Sequence, residues 1–124
     1  MTKLLFIAAG GGAGALLRFL VSGWGQRLTE STFPLGTLVV NVSGCLLIGF
    51  AGGALSGPWI VREELRLALL VGLLGGFTTF STFGFETFAL VEDRQWLYAG
   101  GNLLLSNGLG LVAVWLGYRV AQQL

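Results

Sequence analysis

Hydroxyl and amide side chains recur at intervals of four residues inside the apolar segments of this chain, and together they could bind a small ion. Residues four apart share one face of a helix, so each series predicts a polar stripe on a helix surface. Uncharged hydrogen-bond donors can replace the water shell of a small, strongly hydrated anion, whereas a fixed lysine could bind that anion too tightly to release it. The series are Thr37 and Asn41; Thr78, Thr82 and Glu86; and Asn102, Ser106 and Gly110.

Asn41 by itself has two explanations. An asparagine inside hydrocarbon must find partners, because its amide carries two donor hydrogens and an acceptor oxygen. Asn41 could line an ion path, or it could make an interhelical hydrogen bond worth about 1 kcal/mol that only holds two helices together. The residues alone leave both explanations open.

The run from Gly75 to Phe83 is the least ordinary part of the apolar sequence. Gly75 and Gly76 predict a break in a membrane-spanning helix, and a break frees backbone carbonyls that can bind a cation. Phe80 and Phe83 are three residues apart, and the positive edges of their rings can receive an anion. Phenylalanines at this spacing usually face lipid or a core, but here hydroxyl residues are interleaved with them, namely Thr79, Ser81 and Thr82.

The sequence gives little basis for catalysis. It contains no histidine and a single cysteine, Cys45, which excludes an intrachain disulfide. No carboxylate pair or activated nucleophile accompanies the polar stripes, and Glu86 is the only acid inside an expected span. These absences favour a binding or transport role over an enzyme.

Four membrane-spanning helices must position these residues. Of the 124 residues, 54% are hydrophobic and 10% are charged, and the mean hydropathy is +0.80. About 20 residues cross a bilayer as helix, and the apolar runs predict spans over residues 4–26, 35–56, 65–91 and 96–119 in a single domain covering 1–124. The expected fold is an all-α membrane protein with its third span broken near Gly75 to Thr79. Arg18 interrupts the first span and must snorkel, pair or face a water-filled cavity.

Glycine pairs four residues apart allow helices to approach closely, and we expect them to favour packing against a second copy of the chain. For any single pair, packing inside one chain explains the glycines equally well. The pairs are Gly10 and Gly14, Gly49 and Gly53, and Gly72 and Gly76.

The basic residues only weakly define an orientation in the membrane. With four spans, one side carries Lys3, Arg62, Arg66 and Arg119, and the other carries Arg27 and Arg94, with Arg18 leaning there. Since an excess of Lys and Arg normally fixes orientation, such a small difference permits insertion both ways and an antiparallel homodimer.

Three motifs in order resemble the Fluc (CrcB) family of fluoride channels across nearly the whole chain. They are Gly14-Ala15-Leu16-Leu17-Arg18, Gly36-Thr37-Leu38-Val39-Val40-Asn41, and Gly75-Gly76-Phe77-Thr78-Thr79-Phe80-Ser81-Thr82-Phe83 followed by Glu86. The resemblance implies a passive, fluoride-selective channel in the inner (plasma) membrane that exports fluoride, confers fluoride resistance and binds no nucleic acid. It also implies a dual-topology, antiparallel homodimer with two pores.

The resemblance further implies a role for each motif residue. Backbone carbonyls of Gly75 and Thr78 from both subunits would hold a structural sodium ion, and Arg18 would lie near an aqueous vestibule. Many family members carry a tyrosine where this chain has Asn102, one turn before Ser106. The implied fluoride pore residues are Thr37, Asn41, Phe80, Ser81, Thr82, Phe83, Glu86, Asn102 and Ser106.

The alternative function is a small multidrug-resistance-like exporter, which also uses four helices and antiparallel dimers. That proton-coupled chemistry needs a membrane-embedded carboxylate, typically in the first span, where this chain has Arg18 and no acid. An enzyme lacks a nucleophile or base. A pure scaffold would leave the donors on three spans unexplained.

Overall fold

The computed structural model describes residues 1–57 and 59–124, and every regular element in these ranges is helical. Four helical segments are each long and apolar enough to cross a membrane, which confirms the predicted all-α membrane fold with four spans. Their ends lie within three residues of the predicted ends, the largest difference being Gln122 against 119. The helices are α1, Thr2–Gln26; α2, Leu35–Leu55; α3, residues 63–77; α4, Phe80–Glu92; and α5, Trp96–Gln122.

The third span consists of α3 and α4, and it is interrupted at Thr78 and Thr79. Both residues have extended backbone, with φ and ψ of −84° and 157° at Thr78 and −149° and 117° at Thr79. The Thr79 side chain then caps α4 by accepting the Thr82 N–H at 3.2 Å, as a threonine at a helix N-cap commonly does. The break therefore lies inside the predicted range of residues 75 to 79.

The predicted cause of the break was wrong, because the two glycines are not where the helix ends. Gly75 has helical φ and ψ of −63° and −39°, and both glycines lie in the helical segment Gly75–Phe77. A β-carbon at Gly76 would lie 2.6 Å from the Gly11 carbonyl oxygen, so Gly76 permits close packing against α1. The predicted stripe also loses its first member, since Thr78 precedes the break and its hydroxyl donates to the Leu74 carbonyl at 3.0 Å.

All three glycine pairs pack helices within the chain. A β-carbon at any of these six positions would lie closer than 3.0 Å to another helix of the same chain. Gly10 and Gly14 face α3, as Gly72 and Gly76 face α1, and Gly49 and Gly53 face α5. The intrachain explanation is therefore the one that holds for these pairs. In α3 this packing involves a wider π-helical stretch, Ala68–Leu74.

Polar contacts join the helix ends on each side of the four spans. Lys3 Nζ lies 3.1 Å from Glu63 Oε2 at one end, and the Thr32 hydroxyl donates to the Gln95 side chain at the other. The side chain of Gln26 closes the turn into α2 by donating to the Phe33 carbonyl at 3.0 Å and accepting the Gly36 N–H at 3.1 Å. These contacts join the start of α1 to the start of α3, and the turn between α1 and α2 to the residue before α5.

Candidate functional site

Asn41 binds the backbone at the break through both ends of its amide. Its Nδ2 donates to the Thr79 carbonyl at 2.9 Å, and its Oδ1 accepts the Thr79 N–H at 2.8 Å. Two parallel bonds fix the amide plane and satisfy a backbone unit that has left the helix. Of the two explanations left open for Asn41, helix-to-helix bonding is thus present, and its second amide hydrogen is not used in these bonds.

A cavity of about 370 Å³, here called the central cavity, opens beside this break. It brings together residues from α2, both halves of the third span and α5, although these are far apart in sequence. Its polar lining combines donors and acceptors without a charged side chain. The polar and aromatic residues that line it are Asn41, Thr78, Thr79, Phe80, Phe83, Ser106 and Asn107.

The two phenylalanines of the run line the central cavity in different environments. Their ring centroids are 5.7 Å apart and the rings are tilted by 45°, a separation at which aromatic pairs attract. Phe83 is 8% exposed, whereas Phe80 is 83% exposed. The Phe83 ring is therefore packed against other residues of the chain, whereas most of the Phe80 ring lies on the surface of the chain.

A second cavity, here called the basic cavity, has a volume of about 440 Å³ and shares Thr79 with the central cavity. Arg18 lines it, which gives this cation in the first span a polar surrounding. Arg27 lines it as well, a contribution that sequence reasoning missed. Two guanidinium groups at one cavity attract anions. The polar residues that line it are Arg18, Ser22, Arg27, Thr37, Thr79 and Thr82.

Asn102 lies in a chain of hydrogen bonds between α5 and α4. Ser106 Oγ donates to Asn102 Oδ1 at 3.1 Å, and Asn102 Nδ2 donates to Thr87 Oγ1 at 2.9 Å. Thr87 in turn donates to the Phe83 carbonyl at 2.7 Å. Asn102 is only 1% exposed and lies outside the lining of both cavities. It therefore affects the site only through its bonds to Ser106 and Thr87. Sequence reasoning missed Thr87, although it lies four residues after Phe83, the spacing at which a threonine bonds back to a carbonyl.

Ser81 and Glu86, the other predicted pore residues, do not line the central or the basic cavity. Ser81 is exposed, and its hydroxyl lies 3.4 Å from that of Thr79. Glu86 has a buried carboxylate oxygen, Oε1, without a hydrogen-bond partner in residues 1–57 and 59–124. Both residues belong to α4, whose surface is largely exposed.

The carbonyls of Gly75 and Thr78 lose the donors that a continuous helix would give them. In an unbroken helix they would accept from the N–H groups four residues later, at Thr79 and Thr82. The Thr79 N–H instead donates to Asn41, and the Thr82 N–H donates to the Thr79 hydroxyl. Two carbonyl oxygens three residues apart in sequence are thus available to another partner, and unwound backbone carbonyls of this kind can bind a cation.

Comparisons with known proteins cover the whole of this architecture. Residues 5–118 match the family model described as "CrcB-like protein, Camphor Resistance (CrcB)". The chain is 47% identical over 124 residues to the fluoride-specific ion channel FluC of Geobacter sulfurreducens, with 100% of both chains covered. It is 46% identical over 121 residues to the protein of that name from Nitratidesulfovibrio vulgaris, with 94% of each covered. A third such protein, from Desulforapulum autotrophicum, is 45% identical over 115 residues, covering 93% of this chain and 92% of that one. The similarity thus extends from α1 to α5.

Proposed function

The chain belongs to the CrcB-like family, and on that premise we propose that it is a passive, fluoride-selective ion channel. Relatives from three genera that are 45 to 47% identical to it are named fluoride-specific ion channels. An ion channel is a transport protein and not an enzyme. The comparisons give no support to the alternative of a proton-coupled drug exporter.

The observation that carries this proposal is the meeting of Asn41, Phe80 and Phe83 around the central cavity. Fluoride is small and strongly hydrated, so a pore must offer it other positive partners when its water is removed. The second amide hydrogen of Asn41, which is not used in the bonds to Thr79, is such a partner, and so are the ring edges of the two phenylalanines. None of these groups carries a full charge. A weakly binding lining of this kind suits an ion that must also leave.

The two cavities suggest the direction of the path. Arg18 and Arg27 would raise the local concentration of anions in the basic cavity, from which Thr37, Thr79 and Thr82 lead towards the break. Thr79 lines both cavities. An inside-negative potential supplies about 2.3 kcal/mol per charge for each 100 mV, so export of an anion needs no coupled ion or ATP.

We also propose that the channel is an antiparallel homodimer. The exposed surface of α4 combines apolar Phe80 with polar Ser81 and Thr82. Polar groups facing lipid are costly in the membrane, so a second copy that covers this surface would stabilise it. The nearly even distribution of basic residues between the two sides supports insertion in both orientations.

A structural sodium ion is part of this proposal. The freed carbonyls of Gly75 and Thr78 fit a hard cation, and Gly75 is exposed on the surface of the chain, where a second copy could contribute the same two oxygens. The positive charge of the ion would offset the partial negative charges of the four carbonyl oxygens. We place the dimer in the inner (plasma) membrane, where fluoride export would confer fluoride resistance.

Liposomes loaded with potassium fluoride test the proposed function. Purified protein should release fluoride when valinomycin is added, as followed with a fluoride electrode. The same protein in liposomes loaded with potassium chloride should release little chloride, and protein-free liposomes should release neither ion. Absence of fluoride efflux, or equal efflux of both ions, would overturn the proposal.

A further inference from the structure

The hydrogen bonds that join Ser106 to Phe83 run in one direction only. The Phe83 carbonyl can only accept, so the single hydroxyl hydrogen of Thr87 must lie in their 2.7 Å bond. Thr87 Oγ1 therefore has no hydrogen left for Asn102 and must accept from it. The amide nitrogen of Asn102 accordingly faces Thr87, at 2.9 Å.

This orientation of the amide decides what Ser106 can do. With its nitrogen towards Thr87, Asn102 turns its carbonyl oxygen towards Ser106, and that oxygen can only accept. The single hydrogen of the Ser106 hydroxyl is therefore committed to Asn102 Oδ1, in the 3.1 Å bond. Ser106 lines the central cavity, but in this arrangement its oxygen presents lone pairs there and no hydrogen.

We propose that Asn102 is a positioning residue that turns the Ser106 hydrogen away from the central cavity, so that Ser106 gives a passing fluoride no hydrogen bond. This inference rests on the proposed function. Fluoride then receives its positive partners from Asn41 and the ring edges, and the α5 side of the central cavity binds the ion only weakly. Weak binding favours release, because conduction requires an ion that can leave each site. The orientation of the Ser106 hydroxyl is thus set by Asn102, a side chain that is 1% exposed and does not line the cavity.

The same geometry assigns Thr87 an indirect part. If the Thr87 hydroxyl is removed, nothing prevents the Asn102 amide from turning over and presenting its nitrogen to Ser106. The Ser106 hydrogen is then free to point into the cavity. A serine at position 87 keeps the hydroxyl and the direction of the chain of bonds.

Fluoride efflux from liposomes containing single and double variants tests the inference. S106A should stay within about twofold of the unmodified protein, because the lost hydroxyl gave the ion no hydrogen. N102L should slow efflux by about fivefold or more, because the freed Ser106 hydroxyl holds fluoride more tightly. The double variant N102L/S106A should recover to within about twofold of the unmodified protein, a coupling that independent sites do not show.

Thr87 supplies a matched pair that does not depend on the folding of N102L. T87V should slow efflux in the same direction, T87S should not, and S106A should reverse the effect of T87V. Gel filtration of each variant shows whether it is folded. A loss of more than about tenfold in S106A alone would show that Ser106 donates to the ion, and would overturn the inference.

The inference would also be overturned if N102L and T87V were slow but S106A did not restore efflux. Normal conduction by both N102L and T87V would overturn it as well. Absence of efflux by the unmodified protein would instead overturn the proposed function. The two failures are therefore distinguishable.

Discussion

Asn41 and Thr79 lie 38 residues apart in sequence and are joined by two hydrogen bonds of 2.9 and 2.8 Å. The pair links the middle of α2 to the break in the third span. Because it occupies the Thr79 N–H, it prevents that group from returning to the Gly75 carbonyl and closing the helix. The amide of Asn41 therefore holds the break open.

Replacing Asn41 with leucine should destabilise the protein by about 1–3 kcal/mol for each group left without a partner. Thermal unfolding of the purified protein measures this. Asn107 is the matched control, since it lines the same cavity but makes a single exposed bond, to the Leu103 carbonyl at 2.8 Å. N107L should cost less than about 1 kcal/mol. Equal losses in the two variants would contradict the role given to the Asn41 pair.

Removal of sodium should lower the unfolding temperature of the unmodified protein. A ligand present at 100 times its dissociation constant stabilises the folded state by about 2.7 kcal/mol. Replacing sodium with N-methylglucamine removes that stabilisation, and differential scanning fluorimetry follows the shift. N41L should show a smaller shift, because without the two Asn41 bonds the backbone at the break is no longer held in the arrangement that presents the two carbonyls. An unfolding temperature that does not depend on sodium in the unmodified protein would argue against the ion site.

Phe80→Ile and Phe83→Ile should each reduce fluoride efflux by about tenfold or more, equivalent to about 1.4 kcal/mol, because isoleucine has no ring edge. F83I should also lower thermal stability, since Phe83 is buried. Phe88, on the same helix and exposed, is the control, and F88I should conduct normally. Undiminished efflux in F80I and F83I would exclude these rings from the pore.

Gly14→Ala should destabilise the chain by about 1–3 kcal/mol through overpacking. A β-carbon there would lie 2.9 Å from the Phe77 backbone nitrogen, in contact with α3. Gly12→Ala is the control, since a β-carbon at Gly12 would meet nothing within 4 Å and alanine favours a helix by up to about 1 kcal/mol. Unfolding temperatures that rank the two variants the other way would contradict this packing.

Arg18→Gln should reduce fluoride efflux at low ionic strength and have less effect at high ionic strength. The guanidinium lines the basic cavity, and its attraction for distant anions is screened over about 10 Å at 0.1 M salt. Arg119, exposed near the end of α5, is the control. An R18Q defect that does not change with salt would point to a local structural role for Arg18 instead.

The four spans could be predicted because each is a long apolar run, and length alone identifies it. The break was predicted in the right range for the wrong reason. Gly75 and Gly76 are visible in the sequence as weak helix formers, but the backbone leaves the helix where Thr79 meets Asn41, and no local pattern contains that partner. Thr87 was missed for a similar reason, since its importance depends on Asn102 in another helix. Long-range side-chain bonds of this kind arise only when the helices pack.

The interruption at Thr78 and Thr79 would also explain how the proposed anion path and the proposed cation site adjoin without a charged side chain in the lining of the central cavity. Peptide dipoles add along a helix, leaving about half a negative charge at its carboxyl end and half a positive charge at its amino end. The end of α3 and the start of α4 meet within a few residues. The bare carbonyls on one side attract a cation, and the amides that open α4 attract an anion. One discontinuity in the backbone would thus supply the electrostatics of both proposed sites.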